Sequence, residues 1–172
     1  LASVDEGINI NNLSSTVVKS AAVVQRIEAV DCWFTAGTVL TLSGIFNGDY
    51  TGGSANTINI SLYRCTNSNT DDNWLTPNQY STTSRTDRTI IGSTVTLTPS
   101  STRQSVSFDL TGISDIYGLE LVIGFTLGST LGNVTLKNIQ LEIGSIATPY
   151  EKRSYKTDLK ICQRYFETVG KT

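Results

Sequence analysis

The residues best equipped for chemistry lie in one polar stretch. From Thr66 to Arg88 the chain reads TNSNTDDNWLTPNQYSTTSRTDR. Asp71, Asp72, Asn73, Trp74, Gln79, Tyr80 and Arg85 fall within about 15 residues, and these are the groups that sugar recognition uses. A flat aromatic ring covers the C–H face of a pyranose, and carboxylate, amide or guanidinium groups hold its hydroxyls. On this reading Trp74 and Tyr80 stack, while Asp72, Asn73 and Arg85 bind hydroxyls or an acidic sugar. The plainer reading is an irregular insertion in which Trp74 plugs the end of a core. A stretch of about two dozen residues, apolar only at Trp74, Leu75 and Tyr80, is uncommon in a compact domain unless it is functional or disordered.

Other chemistries find little material. The sequence contains no histidine, which removes Ser-His-Asp and Cys-His catalysis and the usual zinc sites. Cys32, Cys65 and Cys162 are odd in number and widely spaced, so they read as buried small hydrophobes and not as a disulfide framework or metal knuckle. Asp71-Asp72, Asp49 and Asp109 could donate oxygens to calcium, but without EF-hand spacing they read as solvated acids, and no cofactor is indicated. Glycoside hydrolysis needs two acids facing one cleft, whereas these acids are scattered over turns. A non-enzymatic binding or structural module is therefore expected. Trp33, between Cys32 and Phe34, reads as a core aromatic at a strand end; the alternative is an exposed stacking platform.

The elements that must position such residues are strands. In the 172-residue chain charged residues make up 16%, apolar residues 38%, and the formal net charge is -2. No basic excess exists to attract nucleic acid or an anionic membrane, and no apolar run is long enough to insert into one. Abundant Ser, Thr, Asn and Gly suit short strands joined by turns. Polar and apolar side chains alternate at Ile58–Tyr63, Gln104–Leu110 and Leu119–Leu127, with less regular apolar segments at Ala22–Val30, Val39–Phe46 and Ile90–Leu97. Turns are marked by Asn47-Gly48-Asp49, Gly52-Gly53, Pro99-Ser100-Ser101, Gly128-Ser129 and Gly132-Asn133. The last strand changes its inward parity near Lys137-Asn138, from even positions (Val134, Leu136) to odd ones (Ile139, Leu141, Ile143), which one inserted residue explains. About seven such strands predict an all-β antiparallel sandwich of the jelly-roll kind.

The pattern changes after Pro149. Leu159, Cys162, Phe166 and Val169 follow helical spacing, so a short C-terminal helix is expected. Thirteen residues from Thr157 to Val169 are marginal for an isolated helix, and something must cover the apolar stripe. Oligomerisation through these four residues and packing on the chain's own sandwich both satisfy that need. The organisation expected is a connecting segment over 1–20, a sandwich over 21–148 and a link with a helix over 149–172. Because the sequence starts at Leu1, it reads as the C-terminal piece of something longer.

The segment from Asn138 to Phe166, NIQLEIGSIATPYEKRSYKTDLKICQRYF, closely resembles a pattern near the C-termini of many bacteriophage tail-fibre proteins. There a sandwich ends in a strand like IQLEIG, followed by a link like ATPYEKR and a CQRYF segment. Gln25-Arg26-Ile27-Glu28 before the apolar Val39–Phe46 looks like the opening of the same domain. The resemblance implies a carbohydrate-binding-module-like jelly roll in a homotrimeric fibre of the virion. Its partners would be host surface polysaccharide and other tail proteins. Some members of that family are structural or adaptor modules with no receptor contact. The Thr66–Arg88 stretch is long for the family.

Overall fold

Period-two alternation decides which side chains enter the core, and the computed structural model shows it in the strands the sequence marked most clearly. It describes residues 7–13, 20–50, 57–65, 88–126 and 132–152. The strands are β1 (Gly7–Leu13), β2 (Ser20–Ile27), β3 (Val39–Tyr50), β4 (Thr57–Cys65), β5 (Arg88–Ile90), β6 (Val95–Leu97), β7 (Arg103–Asp109), β8 (Leu119–Thr126) and β9 (Gly132–Ile143). Along β7, Val106 and Phe108 are buried while Ser105, Ser107 and Asp109 are exposed. Ile58, Ile60 and Leu62 on β4 and Leu121, Ile123 and Phe125 on β8 likewise face inward.

All strand pairs are antiparallel, and they form two sheets. One has the order β1-β9-β3-β7; the other has β2-β8-β4-β5, with β6 also on β4. The chain crosses between sheets at every connection except those from β4 to β5 and from β5 to β6. This alternation is the strand order of a jelly roll. Leu40, Leu42 and Phe46 of β3 and Val134 and Leu136 of β9 meet the β4 and β8 residues in one core. Each such side chain contributes about 1.5–3 kcal/mol by burial.

The parity change on β9 is a β-bulge. Ser43 pairs with Gln140 and Ile45 with Lys137, so two steps on β3 oppose three on β9. Asn138 takes up the extra residue at φ 53°, a left-handed conformation that Asn tolerates better than most residues. Arg103 ties the bulge down, donating to the Asn138 carbonyl at 2.8 Å and to Ser43 Oγ at 2.6 Å. Beyond it Ile139 and Leu141 pack on the core, but Ile143 is exposed at the strand end. On the outer face of the other sheet, buried Glu120 is paired with Arg26 at 2.7 Å and with Arg88, whose guanidinium lies 3.8 Å from the Tyr63 ring centre.

Four local expectations are corrected. β1 joins a sheet within the segment read as a connection, because its backbone pairs with β9 from Val134 to Lys137. The Ala22–Val30 run does not stay a strand: β2 stops at Ile27, and a one-turn helix α1 (Ala29–Cys32) follows, turning Ala29 and Cys32 into the core. β3 runs through Asn47-Gly48-Asp49, held on β9 in continuous register. The Ile90–Leu97 run splits into β5 and β6, because Gly92 adopts φ 69° and the Ile91 amide turns to the Leu62 carbonyl at 2.8 Å. Cys32 and Cys65 are buried thiols, as expected. The C-terminal helix and its stripe of Leu159, Cys162, Phe166 and Val169 lie outside the described residues.

Candidate functional site

The most conspicuous surface feature is at the crossing from β2 to β3. Trp33 is 65% exposed, Phe34 48% and Val30 58%. The two rings meet edge to face, with centroids 6.2 Å apart and planes at 88°. Trp33 is thus not a core aromatic. Two successive turns account for this: α1 puts Ala29 and Cys32 inward and Val30 outward, and a 3-10 turn (Trp33–Thr35) follows that buries Thr35 and leaves Trp33 and Phe34 outside.

Short hydrogen bonds fix the segment that carries the rings. Thr35 Oγ1 donates to the Cys32 carbonyl at 2.6 Å, and Thr38 Oγ1 to the Thr35 carbonyl at 2.7 Å. The Gly37 amide, at φ 72°, reaches the carbonyls of Leu110 and Ile113 at 3.1 and 3.0 Å. Only a residue without a Cβ takes that backbone conformation at no cost. The Leu110 amide returns to the Thr38 carbonyl at 2.8 Å. The ring pair therefore sits on a braced turn, already ordered before any ligand arrives.

The strand register places several other segments at this end of the sandwich. Val39 starts β3 opposite Asp109 and Leu40 lies opposite Ile143, so β7 finishes here and β9 finishes here. The Gly144 amide donates to the Val39 carbonyl at 2.8 Å, which brings Ile146, 79% exposed, to the same end. All five exposed large hydrophobics among the described residues, Val30, Trp33, Phe34, Ile143 and Ile146, share it. Among them the Trp33–Phe34 ring pair is in contact, whereas single exposed apolar residues are ordinary. Glu28, Asp31 and Asp115 add exposed carboxylates on the crossing segments. Asp109 accepts from the Thr111 amide at 2.9 Å and from its hydroxyl at 2.6 Å, and these bonds hold its carboxyl below the ordinary carboxylate range.

The long polar stretch is anchored at this end too. Cys65 pairs with Arg88, and the Cys65 amide donates to the Gly118 carbonyl at 2.9 Å, just before β8 begins. Its stems thus leave the sandwich beside the crossing segments. Asp72, Asn73, Trp74, Tyr80 and Arg85 themselves lie outside the described residues. Among the described residues no three His, Cys, Asp or Glu side chains gather as a metal site.

No protein-family model matches the chain, and no curated protein matches it.

Proposed function

We propose that this chain is a bacteriophage tail-fibre domain that adheres to a host cell-surface glycan through the end of the sandwich bearing Trp33. The observation that carries this reading is the solvent-facing Trp33–Phe34 pair on a hydrogen-bonded turn. An exposed indole on a rigid support is what a sugar ring stacks against, since little conformational entropy is lost on binding. Exposed carboxylates beside it can accept from hydroxyls. The stems of the Thr66–Arg88 stretch, with its own Trp74 and Tyr80, open at the same end. The Asn138–Phe166 sequence supports the phage assignment, and threefold display in a fibre would raise avidity without new contacts.

A second reading is an adaptor or assembly module of the tail. The grouping of Val30, Ile143 and Ile146 with the rings favours it, because aliphatic side chains serve protein contacts better than sugar contacts. The test is binding of labelled wild-type and Trp33→Ala protein to bacterial cells, with polysaccharide-deficient strains alongside. Strain-restricted labelling that disappears with the polysaccharide and with Trp33 supports the glycan reading. Labelling that ignores the polysaccharide, or none on any host by an intact oligomer, overturns it in favour of the adaptor.

A further inference from the structure

Starting from the Trp33 end, the link after β9 folds back along that strand. The Thr148 amide and hydroxyl donate to the two Glu142 carboxylate oxygens at 2.8 and 2.6 Å. Gln140 Nε2 donates to Thr148 Oγ1 at 2.9 Å, and Gln140 Oε1 accepts from the Glu151 amide at 2.9 Å. Between link and strand lies an open cleft of about 480 Å³, with Tyr150 and Glu151 on one side and Gln140 and Glu142 on the other. Small-ligand clefts span about 300–1,000 Å³, so one or two sugar rings fit this volume.

The lining has the composition that a pyranose needs. Tyr150 contributes an aromatic ring, and Gln140, Glu142, Thr148 and Glu151 make the rest of the lining mostly polar. Glu142 is fixed in place by Thr148, yet each carboxylate oxygen carries two lone pairs, so the bonds from Thr148 leave acceptor capacity on both. The Thr148 donors also hold the Glu142 carboxyl below the ordinary carboxylate range, which keeps it an ionised acceptor. No Lys or Arg is among the residues that line the cleft. Arg103, 5.9 Å from the Tyr150 ring centre, directs its guanidinium hydrogen bonds to Ser43 and Asn138, and its charge adds a smaller lowering to the Glu142 carboxyl.

We infer that this cleft is a second carbohydrate subsite, and that it takes an uncharged pyranose whose hydroxyls donate to Glu142 and Glu151 while Tyr150 covers a C–H face. Two carboxylates in the lining select against uronic and sialic acids. The inference rests on the glycan reading above, with the two subsites engaging one extended chain or two branches together.

The test uses the full chain and oligosaccharides cut from the surface polysaccharide of a strain that the wild-type protein labels. Calorimetry should give two sites per protomer for wild type and one each for Trp33→Ala and Tyr150→Ala. Glu142→Gln, which keeps the shape and removes the charge, should weaken the remaining site in Trp33→Ala by roughly tenfold or more, the usual share of a charged hydrogen bond. Thermal melts of each variant identify any that lose the fold, and Tyr150→Leu replaces Tyr150→Ala in that event. If wild type binds and the Tyr150 and Glu142 variants keep both sites, the cleft is not a subsite and the Trp33 reading stands. If wild type binds no oligosaccharide, both readings fail together.

Discussion

Gly44 lies on β3 in the step where the β9 bulge interrupts the register, and it has no room for a side chain. A Cβ there would press on Ile139 Cδ1 and stand 3.3 Å from both the Lys137 carbonyl oxygen and Phe46 Cζ. Overpacking a closed site costs about 1–3 kcal/mol. Replacing glycine where the backbone dihedrals suit other residues returns about 0.4–1 kcal/mol through the unfolded chain. Gly44→Ala is therefore expected to destabilise by about 1–2 kcal/mol net. For a chain of this length that corresponds to a melting temperature lower by roughly 2–8 °C. Ile139→Val removes the methyl that collides and should cost about 0.5–1.5 kcal/mol alone. In the double variant it should cost less, because the lost methyl is the one in the way. Urea unfolding of the four proteins gives the coupling term directly. Purely additive losses, or a Gly44→Ala variant as stable as wild type, would refute the idea that the bulge brings Ile139 onto the β3 backbone.

Three further outcomes are expected. Glu120→Ala sets the Arg26 and Arg88 guanidiniums against each other over a buried position and should cost about 3–5 kcal/mol, read by urea unfolding at neutral pH; a loss below 1 kcal/mol would mean the outer-face pair carries little. Thr148→Val removes a hydroxyl donor from Glu142, so the Glu142 carboxyl should titrate at higher pH than in wild type when followed by carboxyl NMR. Because its folded value is depressed, the Glu142 contribution is complete above the ordinary glutamate range and is lost as pH falls through the depressed value; protection of the Thr148 amide that persisted unchanged below that value would contradict the assignment. Trp33→Ala should change stability by no more than about 0.5 kcal/mol, as expected for an exposed side chain, and a large loss by thermal melting would show that the ring supports the fold.

The sequence carried the fold where local rules suffice. Alternation along Gln104–Leu110 and Leu119–Leu127 marked two core strands, and the parity change across Lys137-Asn138 located a bulge that Asn138 makes. It failed where tertiary pairing overrides local pattern. β1, GININNL, is short and rich in Asn, and its place in the sheet depends on β9, far along the chain. Trp33 looks like a core aromatic because Ala22–Val30 has the apolar content of one strand, which conceals the two turns that put Val30, Trp33 and Phe34 outside and Ala29, Cys32 and Thr35 inside. The cleft under the link joins Gln140 and Glu142 to Thr148, Tyr150 and Glu151. Those residues were legible only as a strand followed by a link, because the fold-back is a matter of side-chain hydrogen bonds and not of periodicity.

The most direct measurement is calorimetric titration of the protein with purified surface polysaccharide fragments, wild type beside Trp33→Ala. Wild type should bind saturably, and Trp33→Ala should lose roughly tenfold or more in affinity with the melting temperature unchanged. Equal affinity for the two proteins would contradict the claim that the Trp33 end of the sandwich is the recognition surface.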